Sequence, residues 1–204
     1  MGAIFRQRRD YRRAREVYQN VEEMLEVEDA GKLISARLRL ADGFLEIGES
    51  ERAREHAMGV HDLSLELSEH QLHARSRVIL GRYYARTKDS ELSLLHYNAA
   101  LETFSEEANP TNAVETEMLL GQVLVDVGRT SEASEHYLDA LSIAEANDFR
   151  LLQAEILARL GTIRGDRSER VAYLQRSLSV FKDLGAHTRM KEIQNSVHRA
   201  LMGR

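Results

Sequence analysis

A chain of 204 residues, 43% of them hydrophobic, can bury a continuous core, and 28 basic against 33 acidic side chains set up no field that draws nucleic acid nonspecifically. The lack of Cys excludes disulfide scaffolding, thiolate catalysis and Cys-ligated zinc, and it fits a reducing compartment. One Pro, no Trp and 6% aromatic residues, with Ala, Leu, Glu and Arg recurring throughout, make a helical composition.

The first predicted helix covers 4–27 and holds DYRRAREVYQNVEEML. Here Tyr11, Ala14, Val17, Tyr18 and Val21 share a face, and Arg6, Arg8, Arg9, Arg12, Arg13 and Arg15 form its solvated back. Helices at 32–47 and 50–67 follow, split by Gly48, and a pair at 70–87 and 89–107 is split at Lys88. A third pair, 112–127 and 130–147, is split by Gly128, and a fourth, 149–163 and 166–183, by Gly165. A last helix at 187–202 puts Met190, Ile193, Val197 and Leu201 on one face. Gly48 and Gly128 are expected to stop helices at positive φ, with Ser50, Thr130 or Ser131, and Asp166 as the following caps. Asn112 and Glu115, just after the lone Pro110, are expected to form a capping box. No stretch approaches the roughly 18 consecutive apolar residues of a membrane span, and the Arg-rich start lacks the apolar centre of a signal peptide. Arg6 stands where N-myristoylation needs Ser or Thr, so a cytoplasmic protein without membrane attachment is expected.

HYNAAL at His96 and HYLDAL at His136 repeat one pattern at a step of 40. The same step relates Leu40–Ala41, Leu80–Gly81 and Leu120–Gly121 in the first helices, and Ala53, Ser93 and Ala133 in the second. A fixed period of this length marks stacked units. A fourth copy is read at a step of 37, with Leu157–Ala158 standing for Leu120–Gly121 and Ser177–Leu178 for Ala140–Leu141. The small residue lets two helices approach, and Tyr97 and Tyr137 fill the hole beside it. The HisTyr pair is thus architecture and not a catalytic couple.

These positions resemble the tetratricopeptide repeat. The pair at 70–107 supplies Leu80, Gly81, Tyr84, Ser93, Tyr97, Ala100 and Leu101; the pair at 112–147 supplies Leu120, Gly121, Leu124, Gly128, Ala133, Tyr137, Ala140 and Leu141. The step of 40 exceeds the usual 34 of the family, and its Trp and closing Pro are missing; longer helices account for the difference. Extended repeats of this kind are similar to those of bacterial signalling proteins and regulators. The resemblance implies an all-α, right-handed solenoid of antiparallel helix hairpins with about ten helices. It forms a single domain over 1–204: a half unit at 4–27, units at 32–67, 70–107, 112–147 and 149–183, and a capping helix at 187–202.

For function, the resemblance implies a noncatalytic scaffold that binds a protein or peptide segment in a concave groove lined by the first helices. The expected contacts are Leu38, Asp42 and Glu46; Arg75, Val78, Arg82 and Arg86; Met118, Gln122 and Asp126; and Glu155 and Arg159. Arg75, Arg82 and Arg86 lie on one helical stripe and suit an acidic residue of the partner, held by forked hydrogen bonds. They suit equally well the carboxylates of Asp42 and Glu46 in the preceding unit, and the sequence leaves both open. The Lys and Asn of chaperone-tail clamps are absent from the equivalent positions. The alternative is an oligomerisation or ligand-sensing module of a larger regulator, with the half unit offering Ile4, Phe5 and Val17 for a homo-oligomer.

Other motifs resolve into architecture. His56, His96 and His136 recur at steps of 40, too far apart on successive hairpins to share one metal ion. His70 and His73 read as a solvated helix start, and RGD at Arg164–Asp166 as a turn. Neither GxGxxG nor GxxxxGK is present. No enzyme activity, cofactor, metal or specific nucleic-acid partner is expected.

Overall fold

The computed structural model describes residues 11–23, 30–163 and 165–202, which form helices and turns with no strand. The helices are α1 (Tyr11–Glu23), α2 (Ala30–Glu46), α3 (Ser50–Glu66), α4 (His70–Arg86), α5 (Ser90–Glu106), α6 (Pro110–Asp126), α7 (Thr130–Ala146), α8 (Arg150–Leu160), α9 (Arg167–Asp183) and α10 (His187–Leu201). The expected first helix survives as α1; its ends, with Ile4, Phe5, Arg6, Arg8 and Arg9, lie outside the described residues. By its contacts the chain divides into two compact units, Met1–Glu107 and Ala108–Arg204. In the first unit α2 pairs with α3 and α4 with α5, while α1 lies against α2; in the second α6 pairs with α7, α8 with α9, and α10 packs on α9.

A 20-residue rhythm underlies both units. Helices α2 to α7 each have 17 residues, about 25 Å at 1.5 Å per residue. The second residue past each helix end adopts positive φ: Gly48 (86°), Ser68 (57°), Lys88 (66°), Ala108 (50°), Gly128 (82°) and Asp148 (53°). The turn then closes by paired backbone bonds, as where Glu49 donates to Phe44 O (2.9 Å) and Gly48 to Leu45 O (3.1 Å), satisfying carbonyls that the helix leaves open. The expected glycines are therefore two members of a series that other residues also fill. The caps lie one residue before the expected Ser50 and Thr130, at Glu49 and Arg129, without side-chain bonds. The expected capping box at Asn112 is also displaced, since Asn109 caps α6 by accepting from the Asn112 N–H, and Pro110 occupies the first turn.

Packing turns on the small residues. A Cβ added to Gly81 would lie 2.5 Å from Tyr97 Cε1, and one on Gly121 2.7 Å from Tyr137 Cε1. Both tyrosines are 1% exposed. In the α2–α3 hairpin the same positions hold Ala41 and Ala57, both fully buried, so the hole narrows from both sides. The fourth copy corrects the sequence register. Gly161, not Ala158, is the close-approach residue, its Cβ site 2.5 Å from Leu174 Cγ. Since α8 begins 40 residues after α6 but α9 only 37 after α7, the shortening falls after Gly161, where α8 ends at 11 residues against the 17 of α6 while the connection that follows is the longer of the two. Leu174 therefore takes the place of Tyr137 although the first helix keeps the step of 40.

Candidate protein-binding face

Within the first unit, α2 and α4 stand side by side as successive first helices. Arg82 donates from one guanidinium nitrogen to Asp42 Oδ1 at 2.9 Å and from another to Glu46 Oε1 at 2.8 Å. Arg86 donates to the Leu45 carbonyl. The carboxylates sit 40 and 36 residues before Arg82, so the repeat step itself sets the pair. Of the two roles open to this stripe, the structure assigns Arg82 to pairing with the preceding unit. Arg75 stays exposed, and Val78 is half-buried. Leu38 is 1% exposed and belongs to the core, which corrects its placement among surface contacts; it packs there with Ile34, Ala41 and Leu45.

In the second unit the first helices are joined in the same way. Arg159 donates to Gln122 Oε1 at 2.5 Å, Gln122 donates to Asp126 Oδ1 at 2.9 Å, and Arg189 of α10 reaches Glu155 Oε1 at 3.4 Å. The Arg159 guanidinium also lies 6.0 Å from the Tyr137 ring centroid. Met118 is 8% exposed and, like Leu38, offers little surface. Asp42, Glu46 and Arg82 in the first unit and Gln122, Asp126 and Arg159 in the second thus meet along the first helices, while Leu38 and Met118 turn inward.

The repeated tyrosines are buried in the core and the histidines beside them meet different surroundings. Burial pushes the Tyr97 hydroxyl up to about 12 and raises that of Tyr137, which holds the proton on Tyr97 at neutral pH. The three repeat histidines differ by environment. His56 stacks on Phe44 (centroids 5.5 Å, planes 8° apart) and His96 on Tyr84 (5.3 Å, 11°). Burial pushes His56 down to about 4 and lowers His96. At the position of Phe44 and Tyr84 the next repeat has Leu124, and His136 turns instead to Glu117, its Nδ1 2.6 Å from Oε2. That hydrogen bond holds the imidazole above its ordinary value. Sequence periodicity found the histidine ladder but not its partners, Arg37, Arg77 and Glu117. These recur at the same step of 40 and were legible by it. Among the described residues no three His, Asp or Glu groups are placed to hold a metal ion, and no helix is long and apolar enough to cross a membrane.

The tetratricopeptide-repeat family model matches residues 118–147, the span that contains the Gly121–Tyr137 contact. No curated protein sequence matches the chain. By fold the chain is similar to aspartyl phosphate phosphatase F from Bacillus subtilis, with a TM-score of 0.84, 14% identity, and coverage of 99% of this chain and 54% of that one. It is also similar to a Rap protein solved in complex with competence and sporulation factor, with TM-score 0.83, 16% identity and coverage of 98% and 60%. A third is a Signal Transduction ATPase with Numerous Domains from Pyrococcus horikoshii that has a tetratricopeptide repeat sensor, with TM-score 0.81, 14% identity and coverage of 98% and 31%. The chain spans less than two thirds of each of these proteins, and identities this low establish the shared fold alone. Residues 118–147 are a tetratricopeptide repeat, and the chain has the fold of stacked tetratricopeptide-like helix hairpins.

Proposed function

We propose that the chain is a noncatalytic, cytoplasmic scaffold that receives a segment of a partner protein on its first-helix side. The observation behind this is the division of labour along α4. Ala74, Ile79, Leu80, Gly81 and Tyr83 are buried in the packing of the unit, whereas Arg75, Val78, Arg82 and Arg86 line the side shared with Asp42 and Glu46 of α2. Exposed pairs of this kind add little stability, so their concentration on one side is better explained by recognition than by folding. Arg82 is already matched by two carboxylates, so an acidic residue of the partner meets Arg75, and the mixed signs beside it favour a segment that carries both charges. Display of a peptide library against the full chain tests this. The wild type enriches segments with an acidic residue; Arg75→Glu loses them, and Arg82→Glu with Arg86→Glu changes the enriched set. Identical sets from all three proteins refute the face.

A second reading is that the chain acts as the sensing part of a larger regulator. It is favoured by the fold similarity to an ATPase whose tetratricopeptide repeats are named as its sensor and of which this chain spans 31%. Sedimentation measurements test its self-association version, and a monomer at every accessible concentration removes that version.

A further inference from the structure

Three repeats put a histidine at one second-helix position, and the facing first-helix position varies: Arg37 for His56, Arg77 for His96 and Glu117 for His136, all at steps of 40. The 2.6 Å bond between His136 Nδ1 and Glu117 shows that side chains at these two positions touch. His56 also has a carboxylate, with Nε2 2.9 Å from Glu22 of α1. His96 has none. Its Nδ1, the atom whose counterpart in His136 meets Glu117, is buried without a partner.

A second histidine also feels Arg77. His73 lies one helical turn before Arg77 on α4, and its Nε2 is likewise buried without a partner. The His73 ring meets His61 of α3 edge to face, with centroids 4.4 Å apart, and His61 is anchored through Nδ1 to Asp62 at 3.2 Å. Among the described residues the buried side-chain nitrogens without a partner are Arg37 Nε, His73 Nε2 and His96 Nδ1, so two of the three border Arg77. No hydrogen bond or ion pair of Arg77 is found among the described residues. Burial pushes His73 down to about 4, helped by His61, Arg77 and His70, and His96 is lowered by burial, then by Arg77 and His61. The charged groups acting on both rings are basic, which repels a metal cation and attracts an anion. Buried polar atoms left unpaired in this way call for an occupant.

We infer that Arg77, His61, His73 and His96 form a binding site for a small oxyanion, a carboxylate or a phosphate, which takes beside His96 the place that Glu117 holds beside His136. The oxyanion accepts from the Arg77 guanidinium. It accepts also from the two histidines, each of which presents an N–H at its unpaired nitrogen in one neutral tautomer. His61 is 26% exposed along its side chain, and His73, Arg77 and His96 are half-buried, so the site is open at its mouth. It occupies a different stripe of α4 from Arg75, Arg82 and Arg86 and stands or falls independently of the partner-binding face.

The test uses the full chain at pH 7 and constant ionic strength, titrated with inorganic phosphate in one arm and acetate in the other, against chloride. Ring nitrogen and proton shifts of the histidines are read alongside thermal unfolding. The expected result is a saturable shift confined to His61, His73 and His96, with a rise in Tm. A response to phosphate alone assigns a tetrahedral anion, and a response to acetate alone assigns a carboxylate. Arg77→Gln weakens the response at least tenfold. Arg77→Glu copies the Glu117 register, so it melts in chloride no lower than the wild type and no longer responds to either anion. The inference is overturned if the wild type gives no saturable shift with either anion, if His136 and His198 move together with the three, or if Arg77→Glu keeps the wild-type response.

Discussion

Gly121→Ala adds one methyl group at the closest approach of α6 and α7. Its Cβ would lie 2.7, 2.8 and 2.9 Å from Cε1, Cζ and Cδ1 of Tyr137, where carbon atoms prefer about 3.5–4.0 Å. Tyr137 is 1% exposed and so enclosed by protein, and the helices must part or the ring must leave its rotamer. Overpacking of this kind costs about 1–3 kcal/mol, the three contacts below 3.0 Å put this case in the upper part, about 2–3 kcal/mol, and the better helix propensity of Ala returns about 1 kcal/mol. The net expectation is a loss of about 1–2 kcal/mol, a fall of roughly 0.5–1 M in the urea midpoint at a slope of about 2 kcal/mol/M. The α2–α3 hairpin supplies the control, since Ala41 and Ala57 fill the same two positions there. In the cycle with Tyr137→Ala, which alone costs about 3–5 kcal/mol as other large aromatic truncations do, the double variant should be less destabilised than the sum by about 1 kcal/mol or more. Circular dichroism during urea unfolding reads all four proteins. Gly121→Ala as stable as the wild type, or strict additivity in the cycle, would refute the close-approach assignment.

Four further outcomes are expected. His136 has a raised folded-state value because Glu117 bonds it, so its contribution to stability is complete below about pH 6.5 and is lost as pH rises through the folded value. Glu117→Gln should flatten that part of the stability curve measured by urea titration across pH 5–8. His56 and His73, pushed down to about 4 chiefly by burial, act oppositely: their contribution is complete above their ordinary value and is lost as pH falls from about 6.5 toward 4. His73→Gln should therefore shift the acid unfolding midpoint to lower pH. Ala108 holds φ of 50°, where an L-residue pays roughly 1 kcal/mol or more. Ala108→Gly should raise stability by about 0.5–1 kcal/mol, and Gly128→Ala, at φ of 82°, should lower it by about 1 kcal/mol, both read from urea midpoints. Arg82→Met should cost less than about 1 kcal/mol in the same assay, because its partners Asp42 and Glu46 are each 41% exposed along their side chains.

The face residues show how much of a site a periodic sequence can disclose. Asp42, Glu46 and Arg82 were legible as neighbours because the distance between equivalent first-helix positions is the repeat step, and the structure pairs them at 2.8–2.9 Å. The resemblance puts Leu38 and Met118 on the same side, yet both turn inward. A position at the edge of a stripe is buried or exposed according to how the neighbouring helix is rotated, and spacing within one helix holds no record of that rotation. The histidine ladder was legible as a step of 40, but periodicity treats His56, His96 and His136 as equals. Their surroundings are set by residues from other helices: Phe44 and Glu22, Tyr84 and Arg77, and Glu117.

By itself the sequence determined the helices, the hairpin pairing and the small-residue contacts of Gly81 and Gly121. Each depends on local propensity and on a period that the chain repeats against itself. Tertiary structure decided where the period breaks. The shortening before α9 could sit before or after the close-approach residue, and only the contact of Gly161 with Leu174 puts it after, because packing fixes the face of α8 up to Gly161, beyond which the helix ends early, at 11 residues against the 17 of α6. It also decided the electrostatic character of each repeat. A charge within one helix acquires its partner, or lacks one as Arg77 does among the described residues, only when a second helix is packed beside it.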